Sequence, residues 1–200
     1  MTTEALREKI LSVASELFAE KGYDAVSMRH IATAVGMAQA NLYYYFKDKE
    51  DIIRSSLAFV FVNKTGQLLT SMQESIDPRI RLELFVTNFL KLLFEDRVFS
   101  QLLFRELLIN DESRLEFLTK NVFQDAFNVL VEIVGDYFEA DNPILSATSL
   151  LGIVVWHYQF SGVVKYLYDG RLDCSDQKTI IRHIMGEVQC RVKKQFRNEV

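Results

Sequence analysis

Turn-forming residues are scarce in this 200-residue chain, which has two prolines and eight glycines. Sandwiches and barrels need many such residues, so the shortage excludes them and points to long helices. Cysteine is limited to Cys174 and Cys190. Two cysteines build no disulfide framework, and reduced thiols in the cytosol are the simplest reading. Positive charge is not in excess: the formal net charge is −4. That excludes a strongly basic protein that coats nucleic acid, but not a local basic site. The first residues carry Glu4 and Glu8 and no apolar run, so no secretory signal is expected and the cytoplasm is the expected location. His30, His157 and His183 are scattered, and no His/Cys/Asp/Glu cluster has ligand spacing. There is no glycine-rich phosphate loop and no nucleophile elbow. Neither a cofactor nor a metal is expected, and the chain does not read as an enzyme. What it has instead is 49% hydrophobic and 25% charged residues, the balance of a folded protein, with 15 phenylalanines.

One uncharged stretch, Ile144 to Val164, has the length of a bilayer span. It contains Ser146, Ser149, His157 and Ser161, which fall within one helical arc of about 120°. No Lys/Arg-rich loop flanks it, so a buried helix and no membrane partner is the expectation.

Helical periodicity recurs along the whole chain. Leu6, Ile10, Val13, Ala14, Leu17 and Phe18 form a first stripe, which Gly22 ends as a C-cap. Ser27 stands as an N-cap before Ile31, Ala32 and Val35, and Gly36 breaks that run. A further short helix follows from Ala38 to Phe46, and Asp48 is the next N-cap. Beyond it the helices lengthen, to about 48–72, 78–95, 97–109, 112–138, 143–168 and 176–197. Asp77-Pro78, Asn110 to Ser113, Asp141-Asn142-Pro143 and Asp169 to Ser175 separate them. The fold expected is all-α: residues 1–47 form a three-helix domain and residues 48–200 a larger helical one.

The segment from Ser27 to Phe46 carries the functional signal. Ala32 gives the small residue where two steeply crossing helices approach, and Gly36 the residue tolerant of positive φ in the tight turn. Leu42 and Phe46 pin the second helix, while Ile31, Val35 and Met37 complete a small core. Small residue, glycine at +4 and aliphatic residue at +10 is the spacing of a DNA-binding helix-turn-helix. An ordinary αα-hairpin also satisfies it.

Three groups of residues carry a resemblance. They are Glu16-Leu17-Phe18-Ala19-Glu20-Lys21-Gly22-Tyr23, then Ile31-Ala32 with Gly36, then Leu42 through Asp51. Over about residues 5–55 the chain resembles the N-terminal domain of TetR-type (TetR/AcrR) transcriptional regulators. The resemblance implies a homodimeric repressor that a small ligand releases from a palindromic double-stranded DNA operator. The DNA-facing set is then Ser27, Arg29, Ala38, Gln39, Ala40, Asn41, Tyr43, Tyr44, Tyr45, Lys47 and Lys49. Gln39 and Asn41 have the amides that pair bidentately with adenine. The tyrosines, Lys47 and Lys49 suit phosphates, and Ser27 and Arg29 add to the backbone contacts. Tyr45, three residues from Leu42, has packing as its alternative role. Ala38 and Gln39 stand where the family often has serine and a basic residue, and His30 where it is often acidic; these departures bear on the operator sequence, not the binding mode. Residues 1–50 hold six basic and seven acidic side chains, so binding must come from their arrangement. A helical small-molecule-binding or scaffold protein without operator binding is the competing reading.

In the larger domain, 143–168 and 176–197 resemble the helices that pair two subunits. Ser146, Ala147, Ser149, Gly152, Ser161 and Gly162 permit close approach there, and the stripe Ile181, Ile184, Val188, Val192, Phe196 is expected to bury against the partner. The candidate contacts of a small, largely apolar effector are Phe89, Phe104, Arg105, Glu106, Phe123, Phe127, Trp156, His157 and Phe160. Plain core packing is the alternative for each aromatic. Arg105 and Glu106 lie among apolar residues, so they need either ion-pair partners or a polar ligand end. The resemblance implies that the effector shifts helix 48–72, which carries Lys49 at its DNA end.

Overall fold

A computed structural model describes residues 2–138, 142–167 and 176–195, and side chains up to Val188. The expected connection at 169–175, with Cys174, and the tail of the last stripe from Val192 to Phe196 lie outside the described residues or side chains. The described residues contain helices and turns and no strand, as the all-α expectation requires.

Short polar side chains and glycines set the helix ends. In α1 (Thr3–Lys21), Thr2 Oγ1 accepts a hydrogen bond from the Ala5 N–H at 3.2 Å. The helix stops at Gly22, whose φ of 81° and ψ of 165° form a combination essentially confined to glycine. A Cβ there would also stand 2.8 Å from Arg105 Nη1, the end of a long side chain that can give way, so it is the backbone that demands glycine. α2 (Met28–Val35) opens on a capping box in which Ser27 Oγ accepts from the His30 N–H and His30 Nδ1 accepts from the Ser27 N–H. It closes at Gly36, left-handed at φ 82°, whose N–H reaches the Ala32 and Thr33 carbonyls.

α3 (Gln39–Tyr45) follows, and then α4 (Lys49–Met72). Asp48 Oδ1 accepts the Asp51 N–H at 2.9 Å, and the Asp51 carboxylate accepts the Lys47 N–H at 2.9 Å. α5 (Pro78–Glu95) starts behind Asp77, whose carboxylate accepts the Arg79 N–H at 2.8 Å. α6 (Arg97–Ile109) is capped by Asp96 and ends at Asn110, left-handed at φ 54°. Asp111 then caps α7 (Glu112–Leu118) through the Arg114 N–H at 2.9 Å.

The sequence predicts one helix over 112–138. The structure instead interrupts it with a π-turn, Thr119–Phe123, before α8 (Gln124–Phe138). Asn121 Nδ2 donates to the Phe117 carbonyl at 2.7 Å, so a side chain occupies an acceptor of the helical ladder. α9 (Pro143–Val164) begins with Asn142 Oδ1 accepting the Leu145 N–H at 3.1 Å. α10 (Gln177–Gln195) completes the described chain. No helix among the described residues is long and apolar enough to cross a membrane.

Packing gathers the chain into two compact units, residues 1–66 with 96–124, and residues 67–95 with 125–200. In the first unit α1 lies against α2 and α6, and α2 against α3. In the second, α5 packs against α9 and α10. At two positions the α10 stripe departs from the sequence reading. Ile184 and Val188 are 0% and 3% exposed within this single chain, because they pack in their own unit rather than waiting for a partner.

Candidate nucleic-acid interface

The helix-turn-helix is held from beneath and open above. Ile31, Ala32, Val35, Leu42 and Phe46 are buried, with Leu42 at 0% and Phe46 at 1% exposure. Arg7 of α1 stacks its guanidinium over the Phe46 ring at 5.2 Å, and Lys9 Nζ donates to the Val35 carbonyl at 3.4 Å. These two cations are therefore spent inside the head. Sequence reasoning assigns neither a role, because their partners lie 26 or more residues away and no local spacing reveals them.

The opposite face is the exposed one. Gln39, Asn41, Tyr43 and Tyr44 all face solvent, as do Ala38 and Ala40. Tyr44 is 81% exposed, and its ring meets Tyr45 edge-on at 5.3 Å. Tyr45 is half-buried, so packing covers part of its ring. Ser27, Arg29 and Lys47 are exposed and Lys49 is half-buried. Ser27 Oγ is already engaged in its cap. The α1 acids Glu4, Glu8, Glu16 and Glu20 are exposed as well.

A buried polar chain stands behind this head. Tyr23 Oη donates to Glu106 Oε1 at 2.5 Å, and Arg114 Nε donates to Glu106 Oε2 at 3.1 Å. Arg114 Nη1 donates to Glu50 Oε2 at 3.4 Å, and Arg54 Nε to Glu50 Oε1 at 3.2 Å. Arg54 Nη2 reaches Ser113 Oγ at 2.7 Å. Glu106 is 1% and Arg114 8% exposed. Burial, then the hydrogen bond to Glu106 and its charge, push the Tyr23 phenol well above its usual range, so it remains a donor. Burial opposes the Arg114 charge, but Glu106, Glu50 and Asp111 outweigh it and raise the guanidinium further. Arg105 does not pair with Glu106. Its Nη2 donates to the Ala19 carbonyl at 3.2 Å, and its buried Nε has no hydrogen-bond partner among the described residues.

The remaining effector candidates are dispersed. In the first unit Phe61 meets Phe99 at 5.1 Å and Phe123 at 5.6 Å, and Phe104 is half-buried. In the second, Phe89 stacks on Phe85 at 5.5 Å, and Phe127 is half-buried. His157 lies 5.4 Å from His183, and its pKa is lowered first by burial and then by the charge of that neighbour. Trp156 and Phe160 stack at 5.2 Å but are 61% and 37% exposed, so they form a surface of α9. No group of three or more metal-ligating side chains occurs among the described residues.

Known proteins match this arrangement. Residues 10–55, which span the helix-turn-helix and the start of α4, fit the family described as bacterial regulatory proteins, tetR family. The fatty acid metabolism regulator protein of Bacillus subtilis (strain 168) is 29% identical over 155 residues, covering 73% of this chain and 78% of the relative. The HTH-type transcriptional repressor KstR2 of Rhodococcus jostii (strain RHA1) is 33% identical over 82 residues, so the chain spans only 40% of that protein. The crystal structure of AibR in complex with isovaleryl coenzyme A and operator DNA superposes with a TM-score of 0.68, at 22% identity over 91% of this chain and 97% of AibR. With the exposed α3 and the all-helical remainder in agreement, the head at residues 10–55 is that of the tetR family of bacterial regulatory proteins.

Proposed function

We propose that the protein is a cytoplasmic, homodimeric repressor that binds a palindromic operator and is released by a small effector with an apolar acyl part, acting by binding rather than catalysis. The observation that carries the reading is the two-sidedness of α3. Leu42 and the following Phe46 are sealed against α1 and α2, while Gln39, Asn41, Tyr43 and Tyr44 stand in solvent. An αα-hairpin serving only as packing has no reason to present that set. Residues 1–47 then act as the reading module and 48–200 as the sensing and pairing module. Gln39 and Asn41 read bases, Tyr43, Tyr44, Lys47 and Lys49 hold phosphates, and Ser27, Arg29 and Tyr45 support them. The effector class is supported by a relative named for fatty acid metabolism and by AibR bound to isovaleryl coenzyme A. The candidate contacts are taken within each unit separately, Phe104 and Phe123 in the first and Phe89 and Phe127 in the second.

The test uses the duplex that the wild-type protein selects from a random-sequence DNA library. Lys47→Ala with Lys49→Ala is expected to weaken binding to all sequences alike. It should also flatten the plot of log affinity against log salt by about 0.9 for each phosphate that no longer meets a lysine. Failure of the wild-type protein to select any DNA at low salt would sink the repressor reading.

Pairing is supported by α9. Leu145, Ser149, Gly152, Trp156, Phe160, Val163 and the following Leu167 are all exposed and recur at spacings of three and four. A Cβ at Gly152 would meet nothing within 4 Å, which leaves room for a second helix. A palindromic operator read by such a pair requires its two α3 helices to stand one DNA turn apart, about 34–36 Å. Trp156 is the single tryptophan, so its fluorescence reports this directly. Emission is expected to be blue-shifted at high protein concentration and to move red on dilution, as the indole passes from partner to water. A spectrum that stays at the solvent-exposed position at every concentration, with a monomer by ultracentrifugation, would overturn it.

A further inference from the structure

Resting on the operator-binding reading, we propose that Arg114 is a positioning residue for DNA recognition. It locks the start of α4 to the α1–α2 corner, so that the phosphate-contacting groups are held in the register that fits an operator. The chain Tyr23–Glu106–Arg114–Glu50 touches the reading head at both of its borders. Tyr23 follows the end of α1, one residue past Gly22, and Glu50 follows Lys49 at the first turn of α4. Between them stand two residues from outside the head, Glu106 of α6 and Arg114 of α7.

The geometry is specific to an arginine. Nε serves Glu106 and Nη1 serves Glu50, two donors of one planar fork directed to two carboxylates. A lysine in that place has one point of charge and cannot hold both in fixed directions. The inner half of the chain is buried and the outer half is not, since the Glu50 side chain is 43% exposed. Glu50 is thus the place to open the lock while the buried Glu106–Arg114 pair survives. A second staple, Arg54 to Ser113, joins the same two helices one turn along α4, which explains why the first turn of α4 is tied to α7 in direction as well as distance.

Simple electrostatics and the lock make opposite forecasts for Glu50→Ala. An acid beside Lys49 repels phosphate, so removing it should tighten DNA binding if charge alone matters. If the lock positions Lys49, removal should weaken binding. Affinity is measured by fluorescence anisotropy on the duplex selected by the wild-type protein, under conditions where circular dichroism shows every variant folded. The expected result is a loss of about 5–10-fold for Glu50→Ala, in the range of ordinary site-to-site coupling. The slope of log affinity against log salt should stay unchanged, since every phosphate-binding cation is still present. Arg114→Lys should show a similar loss, and the double variant should be no weaker than the worse single one. Binding by Glu50→Ala that equals or exceeds wild type overturns the proposal, as do losses that simply add. Should Arg114→Lys fail to fold, Glu50→Ala decides alone. Wild-type protein that selects no DNA refutes the repressor reading itself, whereas wild-type binding with an indifferent Glu50→Ala refutes only the lock.

Discussion

Phe46→Ala is expected to lower the unfolding free energy by about 3–5 kcal/mol, the cost of emptying a well-packed aromatic site. Phe46 is 1% exposed and stands at the end of α3 in extended conformation, with φ −139° and ψ 129°. α3 is seven residues long and has no side-chain cap at Ala38. A helix that short has little stability of its own, so packing must hold it. Leu42 and Phe46 are its anchors, and the Arg7 guanidinium covers the Phe46 ring. Alanine leaves a cavity and strands that cation above it. Urea denaturation at fixed protein concentration measures the loss, and DNA binding should fall with it. A change below about 1 kcal/mol would mean that the head is anchored elsewhere.

Gln39→Ala with Asn41→Ala should leave stability untouched and remove sequence discrimination. Both side chains are exposed, so the core beneath them stays as it is. Each bidentate amide–adenine pair contributes about 1–3 kcal/mol of discrimination, and the proposed dimer would present each reader twice. The selected duplex should therefore bind the double variant little better than a scrambled one. The salt slope should persist, because Lys47 and Lys49 remain. Undiminished preference for the selected sequence would remove Gln39 and Asn41 from the reading role.

What was legible in the sequence was local. Ser27, Gly36 and Asp48 sit where capping chemistry demands them, and the structure uses all three. The burial of Leu42 beside the exposure of Tyr44 follows from one turn of helical spacing. Glu106 announced, by its apolar neighbours, that it needed partners. Their identity was hidden, since Arg114 lies across the α6–α7 corner and Tyr23 is 83 residues away. The α10 stripe shows the complementary limit. An apolar face states that something covers it, and Ile184 and Val188 are covered by their own unit. At the π-turn, Thr119–Phe123, the Asn121 amide donates to the Phe117 carbonyl, a local side-chain contact that periodicity cannot register.

Between α6 and α7 stand only Asn110 and Asp111, and neither is glycine. Asn110 rests in the left-handed well, and the Asp111 carboxylate fastens the first turn that follows. The joint is thus a stiff elbow with no slack residue to absorb torque. In the repressor proposed above, a molecule wedged against one arm would swing the other, and Arg114 rides on that second arm within its first turn. Such leverage would let a distant guest disturb the proposed grip on DNA without touching the reading surface.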